Sequence, residues 1–199
     1  SDTEGNLLFY TNGQTVWNKN HTIMENGEGL AGEINNTQTS IIIPRPGTDE
    51  KYYIFSTRVN STTTSPLLTK GVYLAEIEIS STYPLGKVMT RFQILRDAST
   101  ERITAVHHKN GKAIWLITFG EAGGTTNGVK NTFSSYKIDE NGLNPPLYSV
   151  QEETVSVSGA MKASPDGQLI AIADQGDQYV YLYNFDNETG AITANIKIF

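Results

Sequence analysis

Three groups of side chains in this chain could carry chemistry. His107 and His108 are adjacent, and imidazoles serve as metal ligands or as acid/base groups near neutral pH. Neighbouring side chains on a strand leave opposite faces, so the two cannot share one ion. One is expected to pack between sheets and the other to stand at a rim. Asp174 and Asp177 flank Gln175-Gly176, and oxygen ligands on a Gly-bearing loop suit Ca²⁺. Two carboxylates are few for such a site, and Asp and Gly also serve polar hairpin turns. Third, Asp plus Glu number 21, so pairs are available for glycoside hydrolysis, which needs two acids ~5–9.5 Å apart. No motif marks any such pair. Gly-x-Ser-x-Gly, His-Glu-x-x-His and the phosphate-binding Gly-x-x-x-x-Gly-Lys-Ser/Thr are all missing from the sequence. With no cysteine in the chain, a thiol nucleophile, a disulfide and a cysteine zinc site are excluded. No catalytic residue and no cofactor is assigned, beyond that Ca²⁺ option at Asp174 and Asp177.

The balance of charge narrows the partners. Lys plus Arg number 15, giving a net charge of −6 over 199 residues. An acidic chain without a basic run is poorly matched to nucleic acid. No apolar run approaches the ~18–20 residues of a membrane span. The length suits one domain with a real core.

The elements that must position these residues are strands. No stretch shows apolar residues at i, i+3, i+4 and i+7 over three turns. Short β-type runs follow turn sequences instead, and four of them look alike: Leu7-Leu8-Phe9-Tyr10, Tyr52-Tyr53-Ile54-Phe55, Ala113-Ile114-Trp115-Leu116-Ile117 and Leu169-Ile170-Ala171-Ile172-Ala173. Each is apolar on both faces, and such a strand needs cover on both sides. Alternating strands follow three of them, with Tyr73, Ala75, Ile77 and Ile79 on one face, then Ser134, Tyr136 and Ile138, then Tyr179, Tyr181, Tyr183 and Phe185. The tyrosine stripe suits core packing better than a carbohydrate platform.

Four short strands per unit, repeating every ~40–50 residues plus loops, is the pattern of a β-propeller. The expected fold is all-β: about three and a half four-stranded antiparallel blades in a single propeller segment. Its blades are 1–30 (partial), 38–96, 100–157 and 158–199. A β-sandwich is the alternative, but it calls for clean in/out alternation in every strand. Stacked blades should bury Trp17, Phe55, Ile54, Ile114, Trp115, Leu116, Ile170, Ile172 and Leu182. The partial first blade, and an end that stops in an apolar alternation at Lys197-Ile198-Phe199, suggest a fragment of a larger propeller.

Some segments also resemble a known family. Gly5-Asn6-Leu7-Leu8-Phe9-Tyr10-Thr11-Asn12-Gly13 with Thr15-Val16-Trp17-Asn18, Gly27-Glu28-Gly29-Leu30 through Gln38-Thr39-Ser40, and Ala105-Val106-His107-His108-Lys109-Asn110-Gly111 followed by Trp115 are similar to secreted Bacteroidetes proteins. Those proteins carry propeller repeats ahead of a type IX secretion (gliding-motility-associated) C-terminal domain. Met161-Lys162-Ala163-Ser164-Pro165-Asp166-Gly167 resembles the turn of YVTN-type and WD-type blades. The resemblance implies export to the cell surface or medium and brings no catalytic residues with it.

Long connections are expected on one face of the blades: Glu25 to Thr39, Arg58 to Lys70 and Gly120 to Asn131. Functional loops gather on one side of a rigid scaffold. Glu25, Asn35, Arg58, Asn60, Glu121 and Asn127 are therefore the candidate binding-face residues, for a protein or glycan partner. Further blades or a second subunit are expected at the two open ends. The function expected is a non-catalytic, exported scaffold or interaction module. The alternative is a propeller enzyme acting on glycans or lactones.

Overall fold

The computed structural model describes residues 1–2, 4–59, 68–121 and 128–198, and among these every regular element is a strand. The protein is all-β, as the periodicity indicates. A first antiparallel unit contains β1 (Phe9–Thr11), β2 (Thr15–Asn18) and β3 (Ile23–Glu28). A second contains β4 (Ser40–Pro44), β5 (Lys51–Arg58), β6 (Gly71–Glu78) and β7 (Lys87–Asp97). The third has β8 (Ser99–His107), β9 (Ile114–Glu121) and β10 (Lys130–Asp139), with the short β11 (Gly142–Leu143) and β12 (Leu147–Val150) both paired to β10. The fourth is β13 (Met161–Ala163), β14 (Leu169–Asp174), β15 (Tyr179–Phe185) and β16 (Ile192–Ile198). A single parallel pair, Glu25 with Lys87, joins β3 to β7, so the first two units run on as one seven-stranded sheet.

Local sequence sets the turns. Asp166 Oδ1 accepts the Gln168 amide at 3.1 Å between β13 and β14, and Asp186 Oδ1 accepts the Glu188 amide at 2.9 Å between β15 and β16. Short Asp side chains close turns this way because they reach a backbone amide two residues on. Those bonds hold the Asp166 and Asp186 carboxyls below their usual range, Asp166 mainly through Ser164 and Asp186 mainly through the Glu188 amide.

Three cores lie between consecutive units. Phe9, Val16, Met24 and Leu30 pack on Ile54, Ala75, Ile77 and Val88. Tyr53, Phe55, Val72 and Leu74 pack on Ile103, Ile114, Leu116 and Tyr136. Trp115, Ile117, Phe119 and Phe133 pack on Ile170, Ile172, Tyr181 and Tyr183. Alternate residues of β5 and of β9 thus enter different cores, which is why both strands are apolar on both faces. Each such side chain, removed from water, contributes about 1.5–3 kcal/mol. Trp17 and Leu182 depart from expectation. They are half-buried on the faces of the first and fourth units turned away from the cores, where no other sheet among the described residues packs.

Candidate functional site at the meeting of the sheet edges

β4, β8 and β13 are edge strands of their sheets, and they lie side by side. An edge strand presents unpaired backbone groups, and polar side chains close this one. The Gln38 amide, just before β4, accepts from the Ile103 and Met161 amides at 3.3 and 2.7 Å. Its Nε2 donates to Met161 O at 3.1 Å. Glu101, 1% exposed, accepts the Thr37 amide at 2.9 Å and the Ser158 hydroxyl at 3.3 Å.

Arg102 is fully buried. Its guanidinium donates to Ser156 O at 2.7 Å, Ser158 O at 2.8 Å and Ala173 O at 2.8 Å, and it stands 3.5 Å from Asp174. Burial pulls its pKa down, and the charges of Asp174 and Glu101 oppose that pull. Asp174 also accepts the Ser156 and Gly176 amides at 3.1 and 3.2 Å, and the Ser156 hydroxyl. Arg96 is buried in the same manner, donating to the Ser134 hydroxyl and to Glu121 O. Burial lowers its pKa, and the neighbouring Tyr136 opposes this. Buried charges are tolerable only when paired and hydrogen-bonded; Arg102 meets both conditions within its own chain, whereas Arg96 is held by hydrogen bonds alone and its Nε is buried without a partner.

The candidate residues therefore separate. Asp174 is turned inward onto Ser156 and Arg102, whereas Asp177 is exposed on the turn. A guanidinium at this distance is a poor neighbour for a divalent cation. Among the described residues no group of three or more His, Asp or Glu is gathered as a metal site. Glu25 lies in strand β3 rather than in a loop, where it pairs with Lys87 at 2.8 Å. Asn35 is exposed in the connection from β3 to β4. Arg58 and Glu121 are not exposed loop residues: both are buried strand ends. The reason is the ladder, which pairs Arg58 with Gly71 and Glu121 with Lys130 and so carries both strands further than the turn residues suggest. Asn60 and Asn127 lie outside the described residues.

His107 is exposed at the end of β8, and His108 stacks on Trp115 with ring centroids 5.5 Å apart. Of the tyrosine stripe, Tyr181 and Tyr183 are buried in the third core, and Lys197 lies 3.4 Å over the Tyr179 ring. Sequence reading missed a groove of about 840 Å³ between the second and third units, lined by Arg45, Asp49, His107, Lys112, Asp139 and Glu140 among others. It sits at the short turns, on the side away from the long connections. Its polar residues come from three separate turns, so no local sequence signal could announce it.

No known family pattern and no characterised protein matches this chain. Among solved structures it is similar to a GH43 β-1,3-galactosidase determined with galactodeoxynojirimycin, at 9% identity and a TM-score of 0.48, over 88% of this chain and 64% of that one. The chain thus spans somewhat under two thirds of that protein's length.

Proposed function

We propose that this chain is a stretch of an exported β-propeller, about three and a half blades long. In this reading it acts at the cell surface as a non-catalytic scaffold or interaction module for a protein or glycan. The observation that carries the reading is the use made of polar groups where the three sheet edges meet. Gln38, Glu101 and Arg102 all bind backbone or side-chain groups of neighbouring units, which fastens strands rather than leaving an acid free to act. The layered cores support the blade reading, because the second and third units are each pressed between two neighbours. The Bacteroidetes-like segments support export and a larger parent protein.

The test is turnover. Assayed with aryl glycosides and aromatic lactones, the purified chain is expected to show no rate above the blank. A rate that disappears in a folded Glu101→Gln variant would overturn the non-catalytic reading in favour of a glycan or lactone enzyme. Export is checked by protease treatment of intact cells making the complete gene product. Digestion without lysis is expected, and full protection contradicts a surface location.

A further inference from the structure

We infer that the groove between the second and third units binds a neutral oligosaccharide, a ligand assignment that rests on reading the chain as an interaction module. The groove forms where the turn from β4 to β5 meets two turns of the third unit, from β8 to β9 and from β10 to β11. Its volume of about 840 Å³ is that of a small-molecule site. The second and third units each pack against a neighbour on both sides, so the groove lies within the stack and not at a bare sheet face.

Its polar side chains are left unused by the fold. Elsewhere the turn acids close their own turns: Asp2 accepts the Glu4 and Asn6 amides, and Asp166 and Asp186 accept those of Gln168 and Glu188. Asp139, in the groove wall, does the same for the Asn141 amide and stands 3.4 Å from Lys137. Asp49, Glu140, Lys112 and His107 differ. All four are exposed, and among the described residues none of their side chains makes a hydrogen bond or an ion pair. The Arg45 guanidinium makes one long bond, to Glu140 O at 3.4 Å, and its other N–H groups have no protein partner.

The signs select the ligand. With Lys137 and Asp139 paired, Arg45 and Lys112 stand against Asp49 and Glu140. A polyanion meets the two carboxylates and a polycation meets the two cations, and like charges repel at short range. A sugar hydroxyl both donates and accepts. Neighbouring hydroxyls can therefore satisfy a carboxylate and a guanidinium in the same small space, and bonds to charged partners are the stronger ones. Pro44, Pro46 and Ile114 supply apolar surface for the C–H faces of the rings. Most of the lining belongs to turns, which offer an extended peptide no strand edge to join. Length follows from His107, which also lines a second groove, of about 390 Å³, toward the turn between β13 and β14. A ligand can run from the first groove into the second past His107, which favours several linked sugars over one.

The isotope-labelled chain is titrated with neutral trisaccharides (cellotriose, maltotriose, laminaritriose and mannotriose), with trigalacturonate, with the trimer of glucosamine, and with a blocked hexapeptide of Ala, Ser and Thr. At least one neutral trisaccharide is expected to shift the amide resonances of 45–49, 107–113 and 139–141 saturably. The acidic trimer, the basic trimer and the peptide are expected to bind at least about tenfold more weakly. Asp49→Ala and Lys112→Ala should each lower the affinity about tenfold, as for one lost bond to a charged group. The thermal midpoint should stay put, because neither side chain bonds to the fold. No saturable shift with any neutral trisaccharide, tighter binding of either charged trimer or of the peptide, or full affinity in both variants overturns the inference. Each of these results leaves the turnover and protease tests of the functional reading as they stand.

Discussion

Gln38 holds Met161, 123 residues away in sequence, by both atoms of its side-chain amide: Oε1 accepts the Met161 N–H and Nε2 donates to the Met161 carbonyl. The side chain does for β13 what a neighbouring strand would do. It reaches Ile103 of β8 as well. Replacing it with leucine strands three backbone groups, and each such loss costs about 1–3 kcal/mol when water cannot enter. Half-burial of Gln38 puts the expected total for Gln38→Leu near the low end for three such groups, about 3 kcal/mol. The urea midpoint checks it, and an unchanged midpoint would mean that water replaces the amide without loss.

Arg102 and Asp174 offer a sharper experiment. Arg102→Met leaves Asp174 and the carbonyls of Ser156, Ser158 and Ala173 without the guanidinium. Breaking one side of a buried pair typically costs about 3–5 kcal/mol. Adding Asp174→Leu to Arg102→Met is expected to recover part of that loss, since no charge is then left buried alone. Additive losses in the double variant, measured by chemical denaturation, would show that the two groups do not couple.

Calcium follows from the same geometry. Asp174 Oδ1 accepts from Ser156 and Gly176 and faces Arg102, and its Oδ2 is buried without a hydrogen-bond partner, so the carboxylate sits beside a buried guanidinium, a poor setting for a divalent cation. Titration calorimetry is expected to give no Ca²⁺ heat that depends on Asp174. Heat that vanishes in Asp174→Ala, with the fold intact, refutes this.

Trp115 stands between the third and fourth units, where its Nε1 donates to Asn187 O at 3.1 Å and Phe185 meets it edge-on. Trp115→Ala should cost about 3–5 kcal/mol, the range for a large buried aromatic. Gly190 is fixed by the same ring. Its φ is +83°, and an added Cβ would lie 2.6 Å from the indole. Gly190→Ala therefore combines backbone strain with a clash and should lower the thermal midpoint by several degrees. A midpoint within a degree of the wild type would show that the ring can shift.

Alkaline unfolding should register Tyr136, which is 2% exposed. Burial raises its pKa from 10.0 to about 12, with Arg96 acting in the opposite direction. A phenol that ionises later in the folded state stabilises the fold fully below its unfolded value. That stability is lost as pH rises from about 10 to about 12. Two pKa units bound the loss at about 2.7 kcal/mol. Tyr136→Phe should flatten the stability profile above pH 10 and leave it little changed at neutral pH, because the phenol's bond to Leu95 O is long at 3.5 Å. An equally steep profile in the variant would assign the alkaline loss to other groups.

The sequence by itself determined the strands and what they bury. Runs apolar on both faces, such as Tyr53-Ile54-Phe55 and Ile114-Trp115-Leu116, can be satisfied only by cover on both sides, and the cores supply it. Turn residues such as Asp166-Gly167 and Asp186 were equally legible, because their bonds are made within a few residues. What only the tertiary structure decided is the fate of the polar residues. Arg58 and Glu121 read as loop residues and proved to be buried strand ends. Asp174 read as half of a cation loop and proved to be the partner of Arg102, 72 residues earlier by number. Trp17 and Leu182 read as core, and their exposure depends on whether another sheet lies over them. Hydrophobic periodicity is a local property, set by which face of one strand meets its neighbours. A hydrogen bond across the meeting edges of three sheets is not local. It is selected by the stacking of whole units, which no spacing along the chain encodes.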